Sequence, residues 1–544
     1  LNMDANKAFD AEKGLSQTIS EAPEYEIQAG QQNELKRSLK NRHMQMIAIG
    51  GAIGAGFFVG AGGALSTGGP ASLIIGFSII GIMLMATMQA LGELTVLYPV
   101  NGAFFTYACR FISESWGFAI GWQYAIQWLT ILPFELTAAS ITLKFWKGAA
   151  NINVGVWIAI FLVALGAIQL LGVRAYGEVE FVLSIIKIMA CIGFIILGII
   201  IDVGGVPTDT RGYIGVTYWG EGQAFRNGFK GFCSVFVTAS FAFGGTELVG
   251  LAAAESANPR KALPQAVKQV FWRIAFFYIV GLFILGLVVP ASNPNLLHAH
   301  GAHSQYSPFV IAIRLAGIKV LPSIFNAVIT VSVISVANSS AFASTRTLQA
   351  LAARGMAPKF LAYVDKKGRP IPTAILQMAM GLLAFVNLAA AGNVLFTWLL
   401  SLTGLANFFV WGSINLAHIR FRKGWAHSGR TVEQLPYKAK YGVIGSYIGL
   451  FLNVICLVAQ FYVALFPIGG KPDAQDFFES YLAGPVIFVL YAGWKIWTRE
   501  WKLWISASDM DVVTDMREFA DDEDEEVKAT GIMAKVKSVT SAFF

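Results

Sequence analysis

Long apolar runs separated by short polar clusters set the pattern of this chain. No Asp, Glu, Lys or Arg occurs from His43 to Gly92, and the same holds for Gly148–Val173, Ile274–Ile313, Val320–Thr345, Pro370–Ile419 and Tyr441–Gly470. Each run exceeds the roughly 20 residues that carry a helix across a hydrocarbon core, and several suffice for two crossings. Dividing them at Gly, Pro and charged turns predicts twelve helices, near 44–66, 72–98, 117–146, 154–172, 178–201, 231–252, 270–290, 320–345, 373–391, 394–417, 441–466 and 481–498. Strand-like alternation is absent, which argues against a lipid-facing barrel.

Composition sharpens this reading. Hydrophobic residues make up 55% of the 544 and charged residues 13%, about half the charge of a soluble protein. Soluble, fibrous and disordered classes are thereby excluded for the bulk of the chain. The predicted organisation is a disordered cytoplasmic N-tail over 1–40, a twelve-helix unit over 41–498 and a cytoplasmic C-tail over 499–544. Within the unit, one half spans about 44–201, a second about 231–417, and two peripheral helices occupy about 441–498. Most of the 40 Lys and Arg fall in the N-tail, at Arg110 and Arg174, in 253–273, 346–369 and 420–440, and beyond Lys495. That asymmetry puts both termini on the cytoplasmic side. It also accounts for the net charge of +7 without any nucleic-acid partner. Cys109, Cys191, Cys233 and Cys456 lie in or beside separate spans and suit apolar packing better than disulfides.

Two glycine clusters break the helical pattern. The first is Gly50-Gly51-Ala52-Ile53-Gly54-Ala55-Gly56 and the second Phe243-Gly244-Gly245-Thr246-Glu247. Glycine costs a helix about 1 kcal/mol relative to Ala, and in a bilayer non-helical backbone is tolerated only where it lines a cavity or is buried in protein. The clusters fall in the first and sixth predicted helices, the sign of a five-plus-five inverted repeat whose halves each open with a broken helix. Free N–H groups at one half-helix end and free carbonyls at the other suit a zwitterion. Close helix packing through small residues is the competing reading. A nucleotide site fits poorly, because Gly54-Ala55-Gly56 lacks the third fingerprint glycine.

Ionisable residues inside predicted spans each need a reason. Lys187 lies mid-span and could carry a coupling proton or serve as a paired structural lysine. Glu247 ends the second break, where it could bind an ammonium group or cap the half-helix. Glu135 follows Pro133 and could face a cavity or pair structurally. Glu93, near one end of the second span, suits an inner gate or a structural role. Phe241 and Phe243 flank the break as possible covers, with Trp398 a further gate candidate. His298, His300 and His303 have no neighbouring carboxylate or Cys to complete a metal set, and no metal site or catalytic constellation is visible. The chain therefore does not read as an enzyme.

Several ordered motifs resemble one family. They include Leu39–Ala48, Ala90-Leu91-Gly92-Glu93-Leu94, Tyr98–Phe104, Gly177-Glu178-Val179-Glu180-Phe181 with Lys187, Phe243–Glu247, Ala253–Arg260, Ser335-Val336-Ala337-Asn338, His418–Arg422 and Trp501-Lys502-Leu503-Trp504. Over about residues 35–518 the chain resembles the fungal amino-acid permeases, the yeast amino acid transporter family within the amino acid–polyamine–organocation superfamily. The resemblance implies a proton-coupled amino-acid symporter of the plasma membrane, with the proton as coupling ion and no other cofactor. It implies substrate binding at Gly51, Ala52, Ile53, Gly54, Gly56, Phe241, Phe243 and Glu247. It implies coupling at Lys187 and side-chain selectivity at Glu135 and around Ser401 and Thr403. Leu132-Pro133-Phe134-Glu135-Leu136 looks most like broad-range general permeases. The expected partners are an amino-acid substrate, the lipid bilayer and ubiquitin machinery acting on Lys7 and Lys13. A non-transporting amino-acid sensor on the same scaffold is the alternative.

Overall fold

The computed structural model describes residues 35, 37–50, 53–297, 307–388 and 392–516. Gly51, Ala52, His298, His300, His303, Lys7 and Lys13 lie outside them, as do the side chains of Trp398 and Ser401. Among the described residues the architecture is all-helical, and the one strand-like pairing is an isolated bridge between Leu39 and Ser256. The main helices are α1 (Asn41–Gly50), α2 (Ala61–Leu97), α3 (Ala103–Phe111), α4 (Glu114–Leu143), α5 (Val154–Leu171), α6 (Val173–Asp202) and α7 (Gly228–Phe243). There follow α8 (Leu248–Ala253), α9 (Pro259–Trp272), α10 (Gly281–Val288), α11 (Pro308–Leu315), α12 (Leu321–Ala353) and α13 (Ile371–Gly381). The series closes with α14 (Gly392–His427), α15 (Gly442–Leu465), α16 (Ala474–Tyr481) and α17 (Ala483–Thr498). Eight described helical segments are long and apolar enough to cross a membrane.

Local chemistry explains the ends. Ser113 begins α4 by accepting from the Trp116 amide, and Asn258 caps α9 at the Lys261 amide with Pro259 in the first turn, the arrangement that satisfies orphan N–H groups. Within α2, Gly69 has φ +82° and a Cβ there would sit 2.2 Å from the Gln223 carbonyl oxygen. Only glycine fits, and with Pro70 next the chain turns, so α2 is two helices meeting at the predicted division between the first and second spans. Pro133 does not end α4, which continues to Leu143.

Packing separates two kinds of helix. The most apolar window of α4 is 83% buried and that of α5 only 11%, so α4 stands at the centre and α5 at the rim. Val163, Leu171, Met189, Ile444, Phe451, Val458 and Phe488 are all exposed. Such apolar surface, carried on helices that satisfy their own backbone, needs lipid as its solvent.

At the end of the bundle that holds Glu93, chain on both sides of the helical unit packs onto it. Leu39 pairs with the segment after α8, its amide donating to the Glu255 carbonyl at 3.0 Å and its carbonyl accepting from Ala257 at 3.0 Å. Residues 501–516 of the predicted C-tail return to the bundle. The Ile505 amide reaches the Ile112 carbonyl at 2.9 Å, and the Tyr98 hydroxyl reaches the Val512 carbonyl at 2.7 Å. Met510 and Val512 are buried there.

Candidate substrate site

Both glycine clusters interrupt their helices. After α1 the chain is non-helical at Ile53 and Gly54, then winds as a wide π-turn over Gly56–Gly60. The Phe57 and Phe58 amides turn back to the Gly54 carbonyl at 3.2 and 3.1 Å. In the sixth predicted helix α7 stops at Phe243, Gly245 takes φ +90°, and helix resumes at Leu248. The two breaks face each other at close range. A Cβ on Gly56 would lie 2.8 Å from the Ala242 Cα, and one on Gly54 would lie 2.3 Å from the Val336 Cγ2.

A narrow cavity of about 20 Å³, room for one water, lies between them, lined by Gly54, Ala55 and Gly56 with Phe241 and Gly244 from the second broken helix. Gln127, Trp128, Ile131 and Glu135 of α4, Val336 of α12 and Asn407 of α14 complete the wall. Trp128, Ile131 and Glu135 share one helical face, at the three- and four-residue spacing that places side chains above one another. Phe134 meets Phe241 edge-on at 5.5 Å between centroids.

Polar groups around this cavity are incompletely used. Both Glu135 carboxylate oxygens are buried without a hydrogen-bond partner, as are the Gln127 Oε1 and the Trp128 Nε1. The Gln127 amide donates to Asn407 Oδ1 at 2.7 Å, and Asn407 donates to the Ser240 carbonyl at 3.0 Å in the last turn before the break. Buried polar atoms left without partners cost about 1–3 kcal/mol each. On this wall a polar ligand would complete them.

The other sequence candidates lie elsewhere. Phe243 stacks on Tyr278 at 4.2 Å and does not line the cavity. Glu247 is also off the wall. Its carboxylate accepts from the Tyr124 hydroxyl at 3.0 Å, the Trp411 indole at 3.1 Å and the Gly245 amide at 3.3 Å, so it braces the break from behind. Ile53 is buried outside the cavity lining, and Thr403 is buried one helical turn before Asn407.

Lys187 belongs to a second cluster. Its Nζ stands 3.6 Å from Glu180, both fully buried, and Glu180 accepts from Ser335 of α12 at 2.7 Å. Ser184 donates weakly to the Met46 carbonyl at 3.3 Å, so the cluster joins α6, α12 and α1. Glu93 forms a third cluster, accepting from the Arg422 guanidinium at 2.8 Å, the Ala439 amide at 2.7 Å and bonding His418 Nε2 at 2.9 Å.

Sequence reasoning missed Gln127, Asn407 and Glu180. Gln127 and Asn407 are uncharged amides inside apolar runs, and a search for charges alone passes over them. Glu180 lay seven residues before Lys187, two turns along one helix face, and that spacing was readable. Among the described residues no group of His, Cys, Asp and Glu is placed to hold a metal ion.

Comparison with known proteins places the chain in a family. Residues 43–507 match the amino acid permease family. The chain is 52% identical over 515 residues to cationic amino acid transporter 1 of Schizosaccharomyces pombe, covering 94% of this chain and 86% of that protein. It is 51% identical over 505 residues to a general amino-acid permease of Saccharomyces cerevisiae, covering 92% and 83%. A general amino-acid permease of Candida albicans is 50% identical over 518 residues, covering 95% and 87%. A crystal structure of a manganese transporter from Eremococcus coleocola superposes with a TM-score of 0.52 at 13% identity, over 87% of this chain and 98% of that one, a likeness of fold alone. This chain belongs to the amino acid permease family and is a multi-pass membrane transporter, not an enzyme.

Proposed function

We propose that the protein imports amino acids across the plasma membrane by proton symport, with both termini cytoplasmic and twelve crossing segments arranged as two inverted five-helix halves plus two peripheral helices. The observation that carries the reading is the cavity between two facing helix breaks. Backbone of Gly54–Gly56 and Gly244 lines that cavity, and helix breaks of this kind present N–H groups at one half-helix end to a carboxylate and carbonyls at the other to an ammonium. Lys187, paired with Glu180, which in turn accepts from Ser335, is the group we assign to proton coupling. No further cofactor is invoked, and Lys7 and Lys13 remain the proposed ubiquitin acceptors.

The Glu135 carboxylate on the cavity wall, which accepts no hydrogen bond, favours substrates with a cationic side chain within a broad range. An apolar wall would reject such a charge, whereas an orphan carboxylate gains an ion pair in low dielectric. The test is competition uptake in a permease-deficient cell, with the full set of amino acids at two external pH values. Uptake that rises at acid pH and is competed most strongly by lysine or arginine supports the reading. Binding without accumulation would instead assign the sensor role, and uptake indifferent to pH would remove proton coupling.

A further inference from the structure

We infer that Arg273 is a resident cation that ties the two broken helices together, occupying oxygens that would otherwise hold a dissolved alkali ion. Arg273 opens the π-wound stretch Arg273–Val280 between α9 and α10 and is 1% exposed. One guanidinium nitrogen, Nη1, donates to the Ala48 carbonyl in the last turn of α1. The other, Nη2, donates to the Thr246 hydroxyl in the middle of the second break. A single side chain therefore bridges both interruptions from a third helix.

The chemistry of the cage is unusual for an arginine. Among the described residues no carboxylate lies within ion-pair range of it. Its direct contacts are neutral oxygens, among them the carbonyl end of α1, the negative pole of that helix, and Glu247 acts on it only through space. A buried cation with no carboxylate in contact is costly in a membrane, so its retention here asks for a function. Carbonyls of unwound segments and half-helix C-terminal ends are the oxygens that coordinate sodium in transporters built on broken helices. Here a covalently attached guanidinium reaches such oxygens instead, and it cannot diffuse away.

The same helix grips the second break twice more. The Tyr278 hydroxyl donates to the Ala242 carbonyl at 2.7 Å, and its ring stacks on Phe243. The π-wound turn that carries both residues is the kind of local distortion that recurs at functional sites. Arg273 is accordingly a positioning residue. It sets the distance between the two backbone poles without touching the cavity itself.

The inference rests on the amino-acid reading of the cavity, and its test separates the two. Full-length protein in lipid nanodiscs is titrated with L-lysine and L-alanine in choline chloride, in sodium chloride, and in choline chloride with millimolar guanidinium. Wild type should bind equally in all three. Arg273→Ala should lose affinity by about tenfold or more in choline, as expected for a lost charge-assisted tether, and recover with sodium or guanidinium. Unchanged affinity in Arg273→Ala, or a loss that neither cation repairs in protein that still melts cooperatively, overturns the inference. So does a wild type that itself requires sodium. A wild type that binds neither amino acid overturns the substrate reading instead. If Arg273→Ala does not fold, Thr246→Val, which removes one acceptor, is read in the same three solutions. A severalfold weakening supports the tether and unchanged binding refutes it.

Discussion

Glu93 and Glu135 are both buried carboxylates inside apolar helices, and they sit in opposite circumstances. Glu93 is saturated by Arg422, His418 and the Ala439 amide, so it joins α2, α14 and the loop before α15 into one block. Glu135 accepts no hydrogen bond at either oxygen, feels Lys187 only through space, and faces the cavity between the helix breaks. A charge in low dielectric is tolerated when it is paired and costly when it is not. The saturated carboxylate therefore belongs to the frame, and the orphan one belongs to whatever enters the cavity. Glu247 and Glu180 fall between these extremes, each held by neighbours yet adjacent to a broken helix.

The contrast can be broken most decisively at Glu93. Glu93→Ala strands the Arg422 guanidinium and the Ala439 amide, and removing one partner of a buried pair costs about 3–5 kcal/mol. The expected result is little folded protein in detergent, read by size-exclusion profile and thermal melt. A monodisperse variant melting like wild type would show that the frame role is misplaced.

Lys187→Met should come next in effect. It strands the Glu180 carboxylate apart from its Ser335 and Ser184 bonds, so a lowered melting temperature is expected, together with loss of concentrative uptake by the protein that reaches the surface. Accumulation that still follows external pH in that variant would take the coupling role away from Lys187.

Glu135→Gln sharpens the comparison from the other side. It removes a buried carboxylate that accepts no hydrogen bond, so the melting temperature should hold or rise, while lysine uptake falls by about tenfold and alanine uptake changes little. A melting temperature lowered as far as that of Glu93→Ala would mean that the two carboxylates are alike after all.

Trp411→Phe is the mildest case. Glu247 loses one of its three donors and keeps the Tyr124 and Gly245 bonds, a cost of about 1 kcal/mol. A small drop in melting temperature with unchanged substrate selectivity is expected. An altered amino-acid preference would move Glu247 from bracing to recognition.

Much of this was legible along the chain. Charge-free runs located several of the eight described apolar segments long enough to cross a membrane, because a crossing segment cannot hide its hydropathy, and Gly69-Pro70 fell where the first two spans were divided. Both glycine clusters marked breaks, because the helical cost of glycine is local. Cavity membership was less legible. Phe241 and Phe243 are two residues apart, yet Phe241 lines the cavity and Phe243 stacks on Tyr278, since a 200° rotation along a helix decides which face each takes. Glu247 read as a ligand group because its donors, Tyr124 and Trp411, lie more than a hundred residues away in sequence.

By itself, the sequence determined an all-helical membrane protein interrupted at two places, because hydrophobicity and glycine cost act residue by residue. Only the tertiary structure decided which buried charges were satisfied. Glu93, Glu135, Glu180, Glu247 and Arg273 look equally anomalous in an apolar run, and each acquires its role from groups that folding brings within 3 to 4 Å of it, or fails to bring. In a low-dielectric interior those last few ångströms carry most of the electrostatic energy, and no local pattern in the chain encodes them.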